Sequence, residues 1–92
     1  MNKAKSQKIH ARKRGMQRYG LQIGPKTYDL LCNKIRKGED AVFLMRESNR
    51  VSHYAVKHDG DWIPVVYDNN RSTIVTFLPK EALSQYEVKV SI

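Results

Sequence analysis

From Ala41 to Leu78 the chain alternates apolar and polar residues with a period of two, and polar punctuation cuts that alternation into four runs. The spacing predicts strands over Ala41–Ser48, Val51–His58, Trp62–Tyr67 and Thr73–Leu78, with Pro79 as the stop. Asn49-Arg50 and Asp59-Gly60 are the first two turns, and Asp68-Asn69-Asn70-Arg71-Ser72 is a polar loop. Connections this short join neighbours, so the expected sheet is an antiparallel meander. A two-residue turn at 49–50 sets Arg46 opposite His53 and Met45 opposite Tyr54. A two-residue turn at 59–60 sets His53 beside Val66 and Tyr54 beside Val65. One face then carries Phe43, Met45, Tyr54, Val56, Ile63, Val65 and Tyr67, which need covering. The other carries Arg46, Val51, His53, Lys57, Trp62 and Pro64, a mixed basic surface suited to solvent or a polyanion. Pro64 inside a strand implies a bulge or a local edge.

The cover comes from upstream. Gly24-Pro25 opens a helix in which Tyr28, Leu31, Cys32 and Ile35 fall at i, i+3, i+4 and i+7. Lys34, Arg36 and Lys37 suit its carboxyl end, and Gly38 closes it. Before it, Gln7 to Tyr19 reads as a second helix, with Ser6 as its cap and a narrow apolar stripe of Ile9, Met16 and Tyr19, Ala11 lying near the edge. After the strands, Lys80 to Gln85 allows one helical turn, and Tyr86 to Ser91 alternates again as a fifth strand or a tail. The expected fold is α+β: two amino-terminal helices packed on an antiparallel sheet of four or five strands. One domain accounts for all 92 residues, with a basic end at 1–5, helices within 6–38, the meander over 41–78 and an extension over 79–92.

Composition narrows the partners. With 17 Lys and Arg against 9 Asp and Glu, the net charge is +8, large for this length. Such an excess implies a polyanion, RNA or DNA, ahead of an acidic protein or a membrane surface. A single cysteine, Cys32, leaves no internal disulfide and no multi-cysteine metal site, and the reading is a reducing, cytoplasmic protein without metal or cofactor. Its place on the apolar stripe makes it a small buried hydrophobe. No apolar run approaches the roughly 20 residues that span a bilayer.

The residue types match metal-free RNA cleavage. In that reaction the ribose 2′-OH attacks its own phosphate, and the protein supplies a base, an acid and cations for the extra phosphorane charge. Histidine can perform either proton transfer near neutral pH, and arginine can hold phosphate oxygens. On a helix His10, Arg14 and Arg18 form one ladder. The ladder lacks a second proton-transfer group, which His53 or Thr76 would have to bring from the sheet. Tyr67 could position phosphate oxygens. The catalytic candidates are therefore His10, Arg14, His53 and Thr76. The candidates for nucleic-acid contact are Lys8, Arg12, Lys13 and Arg18 on the helix, with Arg46 and Lys57 on the sheet.

His10-Ala11-Arg12-Lys13-Arg14, then Arg18-Tyr19-Gly20, the Tyr67-Asp68 pair and Ile74-Val75-Thr76-Phe77 together resemble small toxin-like domains of the barnase/EndoU/colicin/RelE ribonuclease superfamily. Within it, the pattern is similar to a bacterial and phage family built on a His-Ala-x-x-Arg helix, over roughly residues 8 to 79. Tyr19 and Gly15 depart from that pattern. The resemblance implies a metal-independent endoribonuclease fold used as a toxin on RNA, with His10 in proton transfer, Arg14 and Arg18 on phosphate, and Thr76 in support. An acidic antitoxin is one implied partner. The alternative is a non-catalytic phage or mobile-element protein that engages host nucleic acid or an acidic host protein.

Overall fold

The structure is a computed structural model that describes residues 8–14, 17 and 23–86. It is an α+β fold. Residues 8–14 form helix α1, and Pro25–Lys37 form helix α2. Four strands follow: β1 (Ala41–Arg46), β2 (Val51–His58), β3 (Asp61–Asp68) and β4 (Thr73–Phe77). They pair antiparallel in chain order. A 3-10 helix, Lys80–Gln85, comes last. The ends expected at Gln7 and Tyr19, the Ser6 cap, and the stretch after Tyr86 lie outside the described residues.

Local chemistry explains the element boundaries. Pro25 occupies the first turn of α2, where its missing N–H costs nothing. Gly38 ends the helix in the left-handed region, at φ 72°, and its N–H bonds back to the Ile35 carbonyl. Asp59 and Gly60 both take positive φ, 50° and 82°, so the β2–β3 turn twists with its strands. That turn sets His53 opposite Val66 and Tyr54 opposite Val65, as the sequence predicts. Pro64 stands where β4 runs out. Its carbonyl accepts from the Leu78 N–H just past the end of β4, so the donor it lacks falls at a local edge.

The core lies between the helices and one face of the sheet. Tyr28, Leu31, Cys32 and Ile35 of α2 meet Val56, Ile63, Val65, Tyr67, Ile74 and Phe77, all buried. The Tyr28 hydroxyl donates to the Ile74 carbonyl at 2.6 Å. Burial pushes both the Tyr28 phenol and the Cys32 thiol upward, leaving the thiol protonated and inert.

Helix α1 docks differently from its expected stripe. Ile9 is exposed, whereas Ala11 is fully buried in the core cluster. A methyl lets the α1 backbone come close, and two cations complete the dock. Lys8 pairs with Asp29 at 3.0 Å and lies over the Tyr28 ring. Arg12 donates from Nε to the Ile23 carbonyl at 2.7 Å. Met16 and Tyr19 lie outside the described residues.

The register of β1 also departs from the sequence reading. The β1–β2 loop is longer than a two-residue turn: the Glu47 and Ser48 N–H groups both bond the Val51 carbonyl, and the Ser48 hydroxyl accepts from Arg50 and Val51. A bulge between Phe43 and Met45 then adds one residue. Met45 faces His53 and Arg46 faces Ser52, so the expected Arg46–His53 pair is not formed. Leu44, rather than Phe43 or Met45, is the buried residue of the strand.

The far face is not an open basic surface either. Ala55 and Pro64 are buried on it, and the 3-10 helix packs against β3. Tyr86, at the end of that helix, hydrogen-bonds to His53.

Candidate nucleic-acid interface

The four residues expected to form a cleavage centre separate across the sheet. His53 pairs with Val66, and Val66 pairs with Thr76. His53 and Thr76 therefore share a row on the far face, two strand spacings or about 10 Å apart. His10 and Arg14 belong to α1, whose Ala11 is buried in the core on the other face. Both are exposed there. The thickness of the sheet lies between the two halves.

His53 is also committed within the chain. Its Nε2 is 3.0 Å from Glu47 Oε1 and its Nδ1 is 2.8 Å from the Tyr86 hydroxyl. A carboxylate only accepts, so Nε2 carries a proton. In the neutral ring Nδ1 then accepts from the Tyr86 hydroxyl. Both nitrogens are used, and the side chain is 13% exposed. Burial, and then the Glu47 charge, raise the Tyr86 phenol above its ordinary range, which keeps its proton on. The cluster fastens the end of the 3-10 helix to β2 and the β1–β2 loop. Glu47 and Tyr86 were missed by sequence reasoning. They lie 6 and 33 residues from His53, and no local spacing signals that pairing.

Other named residues have partners as well. Lys57 sits over the Trp62 ring, with Nζ 5.9 Å from its centroid. Thr76 and Tyr67 lie inside β4 and β3, and Tyr67 is buried. Asp68, also buried, accepts from Arg50 Nε, from Arg71 and from the N–H groups of Asn70 and Arg71, which fixes the β3–β4 loop. Arg46 is exposed at the end of β1. Arg18 lies outside the described residues.

The basic residues divide unequally along the sequence. Residues 1–38 hold eleven of the 17 Lys and Arg but one of the 9 Asp and Glu, giving +10, whereas residues 39–92 sum to −2. The one acid, Asp29, is paired with Lys8. Lys8, Arg12 and Lys34 are spent on contacts within the fold, the last donating to the Lys57 carbonyl at 2.6 Å. His10, Lys13 and Arg14 of α1, with Lys26, Arg36 and Lys37 of α2, are exposed. Helix–strand order thus becomes charge polarity: a cationic helical layer on one side of the sheet and a near-neutral remainder.

No group of three or more histidine, cysteine, aspartate or glutamate side chains among the described residues is placed to hold a metal ion. No described helix is long and apolar enough to cross a membrane. Compared with known proteins, the chain matches no family model, no curated protein and no solved structure.

Proposed function

We propose that the protein binds RNA through its helical layer, and that it acts as a binding protein rather than through a composite cleavage centre. One observation carries this reading: the described residues up to Gly38 hold eight Lys and Arg against one Asp, a charge of +7, and that carboxylate is already paired with Lys8. An RNA backbone laid on that layer meets His10, Lys13, Arg14, Lys26, Arg36 and Lys37, and each phosphate neutralised releases condensed counterions. Cleavage through the ribose 2′-OH needs a base and an acid on either side of one phosphate. His10 has no proton-transfer partner on its own side among the candidates, and His53 has both nitrogens engaged on the other.

The test uses pure protein and labelled RNA in EDTA. The expected result is a binding isotherm with the RNA recovered intact. Cleavage by the parent that disappears in His10→Ala or His53→Ala would restore the nuclease reading. A toxin of the metal-independent type would behave in that second way.

A further inference from the structure

We propose that the β1 edge of the helix side is a stacking platform for unpaired RNA bases, with Phe43 as the outer ring. The proposal rests on the RNA-binding reading above and names the kind of RNA.

Three aromatic rings run diagonally across the sheet in a chain of contacts, since Tyr54 pairs with Val65 and Tyr67 with Ser52. Phe43 meets Tyr54 edge to face, with centroids 5.6 Å apart and planes at 77°. Tyr54 meets Tyr67 in the same way, at 5.6 Å and 77°. Tyr67 is buried, Tyr54 is half-buried, and Phe43 is 49% exposed. The series therefore starts in the core and ends in solvent. Tyr54 packs against the core cluster beneath the helices, so the series is on the cationic side. The bulge after Phe43 turns the rest of β1 out of the regular alternation, and among the described residues none covers the outer side of the Phe43 ring.

A ring held by a neighbour in an edge-to-face contact loses little further freedom when a base stacks on it. The cations are close by chain connection alone. Arg36 and Lys37 end α2, and Gly38-Glu39-Asp40 leads straight into β1. Lys34 fixes that junction through the Lys57 carbonyl. A strand of RNA whose phosphates lie on the last turn of α2 thus has its bases within reach of Phe43. Duplex RNA offers no base face to such a ring, whereas single strands do. The ligand class is single-stranded RNA, or a loop with unstacked bases.

The experiment measures anisotropy of a labelled single strand of about 12 nucleotides, within the site sizes usual for such binders, and of its duplex. Phe43→Ala is compared with Phe43→Trp and with the double variant Lys13→Ala/Arg14→Ala. Because Phe43 is exposed, its loss leaves the core intact, which a thermal melt checks. We expect Phe43→Ala to weaken single-strand binding by about fivefold or more, with the duplex affinity and the salt slope unchanged. Phe43→Trp should retain the affinity, and the double variant should lower affinity for both RNAs. Equal single-strand affinity in Phe43→Ala, while the double variant still weakens, overturns the platform and leaves the polyanion reading intact. A change of sedimentation in Phe43→Ala with no change in RNA affinity also overturns it, since the ring would then belong to a contact between copies. Failure of the parent to bind either RNA at low salt overturns both.

Discussion

The Tyr28 hydroxyl donates a 2.6 Å hydrogen bond to the Ile74 carbonyl, joining the first turn of α2 to β4 across the core. It lies beside an irregularity. The β3–β4 register shifts between Val66 and Tyr67, so one residue of β4 is added between Ile74 and Thr76. A buried carbonyl next to a bulge needs a donor, and a helix side chain supplies it. Tyr28→Phe keeps the ring and removes that donor. The expected cost is about 1–3 kcal/mol, read as a fall in the urea midpoint without a change of slope. An unchanged midpoint would mean that the Ile74 carbonyl is satisfied in another way.

Stability should fall in alkali. The Cys32 thiol and the Tyr28, Tyr67 and Tyr86 phenols all titrate above their ordinary values of 9.0 and 10.0, with burial as the leading cause in each. For a group raised in the folded state, the unfolded chain loses its proton first. The contribution is complete below the ordinary value and is lost as pH rises past it. Cys32 should begin the loss near pH 9 and the phenols should steepen it above 10, each by at most about 1.4 kcal/mol per pH unit. Urea midpoints between pH 7 and 11 give the curve, and Cys32→Ala should delay its onset. A flat curve to pH 11 would contradict this account of the core.

His53 is assigned a fastening role, which separates stability from binding. His53→Ala leaves Glu47 and Tyr86 without their shared partner and should release the 3-10 helix from the sheet. Amide exchange should rise over Lys80–Gln85, with about 1–3 kcal/mol lost in denaturation and RNA affinity unchanged. Loss of RNA binding or of RNA cleavage, with stability intact, would return His53 to the site.

Much of the fold could be read from the sequence because it is local. Tyr28, Leu31, Cys32 and Ile35 announce their helix by spacing, and all four are buried. Gly38 and Asp59-Gly60 announce their turns through the left-handed backbone they adopt. What escaped depends on contacts distant in sequence or on one-residue insertions. The bulge in β1 moves Met45 from beside Tyr54 to beside His53 on the far face, and Leu44 is the buried residue of the strand while Phe43 is exposed. Ala11 looks marginal on a helical wheel, yet it is the α1 residue small enough to touch the core closely. The basic residues of α1 were legible as charge but not by role, since Lys8 and Arg12 serve to dock the helix. The partners of His53 come from two other elements, and sequence spacing carries no trace of them.

The central claim is that RNA contacts the helical side of the sheet, and the salt dependence of binding tests it most directly. RNA affinity should be measured across salt concentrations for the parent, for Lys13→Ala/Arg14→Ala on the helical side, and for Lys57→Ala on the far face of the sheet. Single-strand binding loses about 0.7 of a logarithmic unit of affinity per logarithmic unit of salt for each phosphate neutralised. The helical double variant should flatten the slope by roughly one such contact per residue removed, and the sheet variant should keep the parent slope. Equal slopes in all three, or a flatter slope only in the sheet variant, would contradict the account.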